Sequence, residues 1–368
     1  MGWKPLTIDR GRNSIGTPAT GGLLIALVSI TGVLFATEAL AHVRWFVDPN
    51  DPAIQVFQPY ALTDLEVLAW IGIAIVLIST SVVIDGRLPT PPIVDSKTRH
   101  DVMELVRIFV GMSFLLTAYE GALVAPHLVA FGAFGVFLVF LQAFIGILLI
   151  SNRFLHHAAI LMLILFLGMV IKFGFLIALE YCNIIGLGLF VLINNLPTQE
   201  LRERFKPYSI AVLRIFTGIA LVALGLGEKL LGAALGQTFV ASYQWNFMQA
   251  MGLEWFTDRL FVLSAGMMEV VFGVILILGT TTRLNMLALS AFMLLSNVVF
   301  LWQGRKNEAL VELIGHLPLI ATALILLFLG YGQRLKFTDL FQPPSNRPPK
   351  SKQTPVASPG QSAEPGHA

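Results

Sequence analysis

Long apolar runs recur along this chain at the length a lipid bilayer demands. About 20 mostly apolar residues in a helix span the roughly 30 Å hydrocarbon core. Ten such runs can be read, at 21–41, 66–84, 105–125, 128–150, 155–174, 176–195, 209–230, 259–279, 284–303 and 309–331. Only 12% of the residues are charged, against roughly 25% in soluble domains. The chain therefore has too little polar surface to be solvated by water. It is expected to be an all-α polytopic membrane protein with about ten spanning helices. The 155–195 stretch is read as two spans joined by a tight turn at Lys172-Phe173-Gly174. The first run follows Lys4, Arg10 and Arg12 and ends at Ala39-Leu40-Ala41, which resembles a signal-cleavage site. It is read as a retained helix.

Lys and Arg set the orientation of such a chain. With the N-terminus inside, 18 of the 24 Lys and Arg fall on inner segments or inner helix ends. The other six are Arg44, Lys172, Lys229, Arg259, Arg305 and Lys306. That asymmetry predicts an N-in, C-in topology and supports the helix count. Arg107 and Arg214, at inner helix ends, are expected to snorkel to lipid phosphates.

An internal repeat divides the chain. Leu105-Val106-Arg107-Ile108-Phe109-Val110-Gly111 parallels Val212-Leu213-Arg214-Ile215-Phe216-Thr217-Gly218. Each run leads to a glutamate, Glu120 or Glu228. Gln142-x-x-x-Gly146 then parallels Glu269-x-x-x-Gly273, with Arg153 and Arg283 following. Glu180 and Glu312 open the last helices. The order of landmarks predicts two parallel four-helix blocks behind two leading helices, a 2 + 4 + 4 plan. The expected segments are 1–84 with two helices, an inner Pro-containing linker at 85–104, a first block at 105–204, a second at 205–332, and a disordered Pro-rich tail at 333–368.

Several functions are excluded or left without support. The single cysteine, Cys182, cannot form an internal disulfide or a CxxC pair. Thiolate metal sites are missing, so no metal is expected. Of seven histidines, only His127 and His316 are plausible outer-side partners, and no CxxCH occurs, so heme is not expected. The net charge of +2 gives no reason to expect nucleic acid. No nucleotide-binding, metalloprotease or nucleophile-elbow motif appears.

Ionisable residues inside a membrane usually face the bundle interior and mark function or pairing. Glu269 lies near the middle of its span among small residues. Glu228 and Lys229 lie at the outer end of theirs. Glu312 and His316 are four apart, and so share a helix face. Asn297 is in the outer third of its span. Glu228, Lys229, Glu269, Asn297, Glu312 and His316 are predicted to line one outward-opening cavity, as ligand-binding or proton-relay groups. No residue is assigned a catalytic role. The loop at 231–258 carries Tyr243, Trp245, Phe247, Trp255 and Phe256, which suits the membrane interface or a cap over a ligand.

The second block resembles the DoxX family, through Arg214-Ile215-Phe216-Thr217-Gly218, Gly227-Glu228-Lys229, Glu269-x-x-x-Gly273, Gly279 and Thr282-Arg283. The first block resembles it less. Gln142 stands where the second block has Glu269, and no lysine follows Glu120. It reads as a degenerate copy kept for packing. The resemblance implies a four-helix unit and a bacterial-type cytoplasmic membrane. Its DoxD-like members are associated with thiosulfate:quinone oxidoreductase and its DoxX-like members with membrane redox or detoxification complexes. The implied role is a binding or assembly subunit of a quinone-linked redox system, not catalytic alone. Such a subunit would have no intrinsic cofactor, with quinone as a possible ligand and other protein subunits as partners besides the lipid. The alternatives are a transporter or lipid-handling protein with an outward polar cavity, and a scaffold of a larger complex.

Overall fold

The computed structural model describes residues 46–47, 59–85, 87–88, 96–329 and 334–340. The expected first span, the prolines of the linker and the tail beyond 340 lie outside these. Among the described residues there are helices and no strands. The helices are α1 (Leu65–Asp85), α2 (Ser96–Tyr119), α3 (Gly132–Ile150), α4 (Leu155–Phe173), α5 (Phe175–Leu179), α6 (Asn183–Asn194), α7 (Gln199–Phe205), α8 (Ser209–Leu224), α9 (Ala233–Tyr243), α10 (Phe247–Ala250), α11 (Asp258–Leu278), α12 (Thr282–Trp302) and α13 (Lys306–Phe328). A π-helical turn, Gly225–Leu231, extends α8.

Among the described residues, eight helices are long and apolar enough to cross a membrane. They answer eight of the ten expected runs. The run at 176–195 differs. Gly174 takes a left-handed φ of 90°, and the chain then forms only α5 and the 12-residue α6. Residues 180–182 break the helix where Glu180 had been read as a helix start. The linker differs too, because α2 already begins at Ser96.

The outward faces are apolar. On α3, Phe134, Phe137, Phe140 and Phe144 are all exposed, which water would penalise and lipid does not. Where lipid is the solvent, helices associate through close contact of small residues. A Cβ added to Gly218 would lie 2.5 Å from the Gly273 carbonyl oxygen, and one added to Gly273 would lie 2.5 Å from that of Gly218. Gly111 and Gly146 make the matching contact between α2 and α3, at 3.0 and 2.9 Å.

The last helices cross over. Besides its neighbour α12, α13 packs on α2, and α6 packs on α8. Each block's last helix thus lies on the first helix of the other, and one apolar core runs through both.

The two arginines do not reach lipid. Arg214 is fully buried. It donates to the carbonyls of Leu276 (2.6 Å), Ile277 (2.9 Å), Arg334 (3.0 Å) and Leu335 (2.7 Å). Arg107 is 6% exposed and donates to the Leu149 carbonyl and to Glu104, both at 3.3 Å. The carbonyls at the end of a helix have no intrahelical donor, and a guanidinium with five N–H groups satisfies several at once. This competes successfully with snorkelling.

Part of the expected tail is also fixed. Lys336 pairs with Asp85 at 3.4 Å, and Asp85 accepts from the Thr281 N–H at 2.9 Å. At its other end, α1 is held by Arg259, which pairs with Asp64 and with Glu66. The Ala61 N–H and the Arg259 guanidinium hold the Asp64 carboxyl below its ordinary range.

Candidate functional site

The α8–α11 contact places the central charges. Gly225 and Gly266 let the helices touch: a Cβ on Gly225 would lie 2.7 Å from the Gly266 carbonyl oxygen, and one on Gly266 would lie 2.8 Å from Lys229 Cβ. The wider π turn carries Glu228 and Lys229 at that point. Such turns inside helices are frequent at functional sites. Lys229 Nζ reaches both carboxylate oxygens of Glu269, at 2.9 and 3.0 Å, and Glu228 Oε2 at 3.4 Å. Glu228 is 1% exposed and Glu269 17%. Glu269 therefore faces the bundle and is paired, as expected for a charge at this depth.

A second polar group comes from α12 and α13. Glu312 is buried and accepts a short hydrogen bond from Ser296 Oγ. His316 Nδ1 lies 3.7 Å from Glu312 Oε1, one turn along the helix. Asn297 does not join them: its amide donates to the Met293 carbonyl of its own helix at 3.3 Å, and it does not line the cavity described below. Ser296 takes the place predicted for it. One residue in a helix turns the side chain by about 100°, which the depth of Asn297 in its span could not reveal.

A cavity of about 150 Å³ lies between the two blocks. Lys229, Glu269, Ser296, Glu312 and His316 line it from the second block. Val124, Glu180, Tyr181 and Asn183 line it from the first. The break between α5 and α6 is what turns Glu180 toward the cavity. These groups sit at one end of the bundle: the C-terminal ends of α8 and α12 and the N-terminal ends of α6 and α13. A cavity of this volume accepts a benzene-sized ring.

The aromatic loop forms a roof. Phe46, Phe239, Trp245 and Phe261 line the cavity, with ring centroids 5.7 Å apart for Phe239 and Trp245 and 5.8 Å for Trp245 and Phe261. Arg305 stacks 4.5 Å over Tyr243 and ties the roof to the α12–α13 turn. The alternative of a cap over the site thus describes Trp245, whereas Trp255 is 67% exposed.

The corresponding place in the first block is filled. Gln142 is fully buried. Its amide donates to the Phe114 carbonyl (3.1 Å), Thr117 Oγ1 (2.8 Å) and the Ala122 carbonyl (3.3 Å), and accepts from the Val124 N–H (2.8 Å). A neutral amide with donors and an acceptor can pin a loop inward, which a carboxylate with acceptors alone cannot. The loop 121–130 is drawn into the core here, and Glu120 is left exposed. Among the described residues, no group of three or more His, Cys, Asp and Glu is placed to hold a metal.

Residues 209–302 match the DoxX family. A DoxX-like stretch thus lies within a longer, multi-helix membrane chain. The matched stretch runs from α8 through α12 and includes the Lys229–Glu269 pair, Ser296 and the roof residues Phe239, Trp245 and Phe261. The DoxX-like stretch ends before Glu312 and His316, so the site is completed by residues beyond it. No curated protein and no solved structure matches the chain.

Proposed function

We propose that this DoxX-like protein is a small-molecule-binding subunit of a quinone-linked membrane redox system, and that its inter-block cavity holds the ring head of the quinone. The observation that carries this reading is the cavity itself. It has the volume of one ring, an aromatic roof and a polar wall that includes the Lys229–Glu269 and Ser296–Glu312 pairs. Ligand sites are mostly apolar with a few placed polar groups. The chain's own groups bind and orient. Lys229 holds Glu269 in place, Ser296 holds Glu312, and the aromatic rings exclude water.

The finer architecture belongs to the same proposal. The chain crosses a bacterial-type cytoplasmic membrane ten times, with the broken α5–α6 segment as one crossing, N-in and C-in, and opens the cavity outward. Its two blocks are copies of one unit. The paired contacts Gly111–Gly146 and Gly218–Gly273 support this, as do the paired locks of Arg107 on Leu149 and Arg214 on Leu276.

One observation favours a second reading as a transporter or lipid-handling protein. A helix broken beside a cavity, as α5–α6 is at Glu180, is a feature of transport sites. Purification from native membranes in mild detergent separates the readings. Co-purification with redox subunits and bound quinone supports the first. A chain carrying a non-redox lipid and no partner supports the second. A partner with an empty cavity supports the scaffold alternative. Glu269→Gln is expected to lower quinone-dependent turnover of the complex while leaving its assembly intact.

A further inference from the structure

We propose that the cavity selects a ligand head that donates hydrogen bonds over one of equal size that only accepts them. This rests on the reading of the cavity as a binding site and names the ligand chemistry it prefers. The polar wall is rich in acceptors. Glu180, Glu269 and Glu312 each bring a carboxylate to it, and a carboxylate accepts hydrogen bonds and donates none. Three donors on the same wall are already engaged. Thr217 Oγ1 donates to the Leu213 carbonyl at 2.8 Å. Ser296 donates to Glu312. Lys229 donates to Glu269 and Glu228. Asn183, Tyr181 and His316 can give or take. A head carrying only carbonyl oxygens brings lone pairs against this wall, whereas a hydroxyl brings a proton to it.

At the roof the balance differs. The indole N–H of Trp245 is buried, with no hydrogen-bond partner among the described residues. An oxygen at that end of the head meets a donor. A hydroxyl serves at both ends, since it donates to the wall and accepts at the roof. A carbonyl meets a donor at the roof but none at the three carboxylates. Leaving buried polar groups facing an unsuitable head discriminates strongly between otherwise isosteric ligands.

A short-chain hydroquinone and its quinone test this, because they share ring and tail and differ in donors. Binding of each to the purified full chain in detergent is measured under anaerobic conditions. The hydroquinone is expected to bind at least about ten-fold more tightly, which raises the potential of the bound couple by about 30 mV. Glu312→Gln and Glu180→Gln each replace acceptor capacity with an amide donor, and are expected to narrow the ratio. Each variant is checked for a monodisperse, wild-type-like elution profile, and one folded variant suffices. Equal affinities, or tighter binding of the quinone, overturn the proposal while the binding reading stands. An unchanged ratio in a folded variant overturns its assignment to these carboxylates. Binding of neither form overturns both.

Discussion

Removing the positive charge from the central cluster should cost far more than removing one of its negative charges. Lys229 lies between two carboxylates, at 2.9 Å from Glu269 and 3.4 Å from Glu228, with 13% of its side chain exposed. Lys229→Met keeps the stem but leaves both carboxylates without their cation. Breaking a buried pair in this way costs about 3–5 kcal/mol. Glu269→Gln leaves Lys229 paired with Glu228 and keeps an amide oxygen as acceptor. It should cost roughly 1.5–3 kcal/mol, the worth of one charge-assisted hydrogen bond. The double substitution leaves a single buried carboxylate and should be more stable than Lys229→Met alone. Unfolding by detergent titration in mixed micelles would give the three values. A Glu269→Gln cost equal to or above that of Lys229→Met would refute the account of Lys229 as the shared counter-ion. So would a double variant weaker than both.

Four further outcomes follow from the packing and the roof. Gly273→Ala drives a methyl to within 2.5 Å of the Gly218 carbonyl oxygen. The obstacle is backbone, so a loss of about 1–3 kcal/mol is expected in the same titration. Gly72→Ala, with nothing within 4 Å, should be neutral or slightly stabilising. Gly279 has a φ of 74°, and a Cβ there would lie 2.3 Å from the Arg214 guanidinium. Gly279→Ala should therefore loosen the Arg214 hold on the 334–335 carbonyls, read as faster proteolysis near 334–340. Trp245→Phe removes a buried N–H that has no protein partner among the described residues. The smaller ring leaves a gap in the packed roof, so a modest loss of melting temperature is expected, together with a several-fold fall in ligand affinity. Unchanged affinity would show that the indole N–H does not meet the ligand.

The long helices were legible because composition alone decides whether twenty consecutive residues can sit in hydrocarbon. The charged members of the site were legible for a related reason, since Glu269, Lys229 and Glu312 are costly at those depths without partners. Arg214 was misread because its acceptors include carbonyls 120 and 121 residues away, and a distant partner leaves no local pattern. The break at 180–182 was hidden because an apolar run reads the same whether its helix is continuous or broken. Ser296 was missed in favour of Asn297, because depth along a helix does not specify which face a residue takes. Gln142 looked like a lost glutamate. Its four hydrogen bonds show a different task, which is to close the first block with its own loop.

The central claim is that a ring-headed ligand occupies the cavity between the blocks. Photoaffinity labelling with a quinone carrying a photoreactive group on the ring tests it most directly, using the full chain in native membranes. Cross-links are expected on both blocks, near Tyr181–Asn183 and near Phe292–Leu319, together with Trp245, all displaced by excess unlabelled quinone. Labelling confined to outward residues such as Phe137 and Phe140, or labelling that excess quinone does not displace, would contradict it.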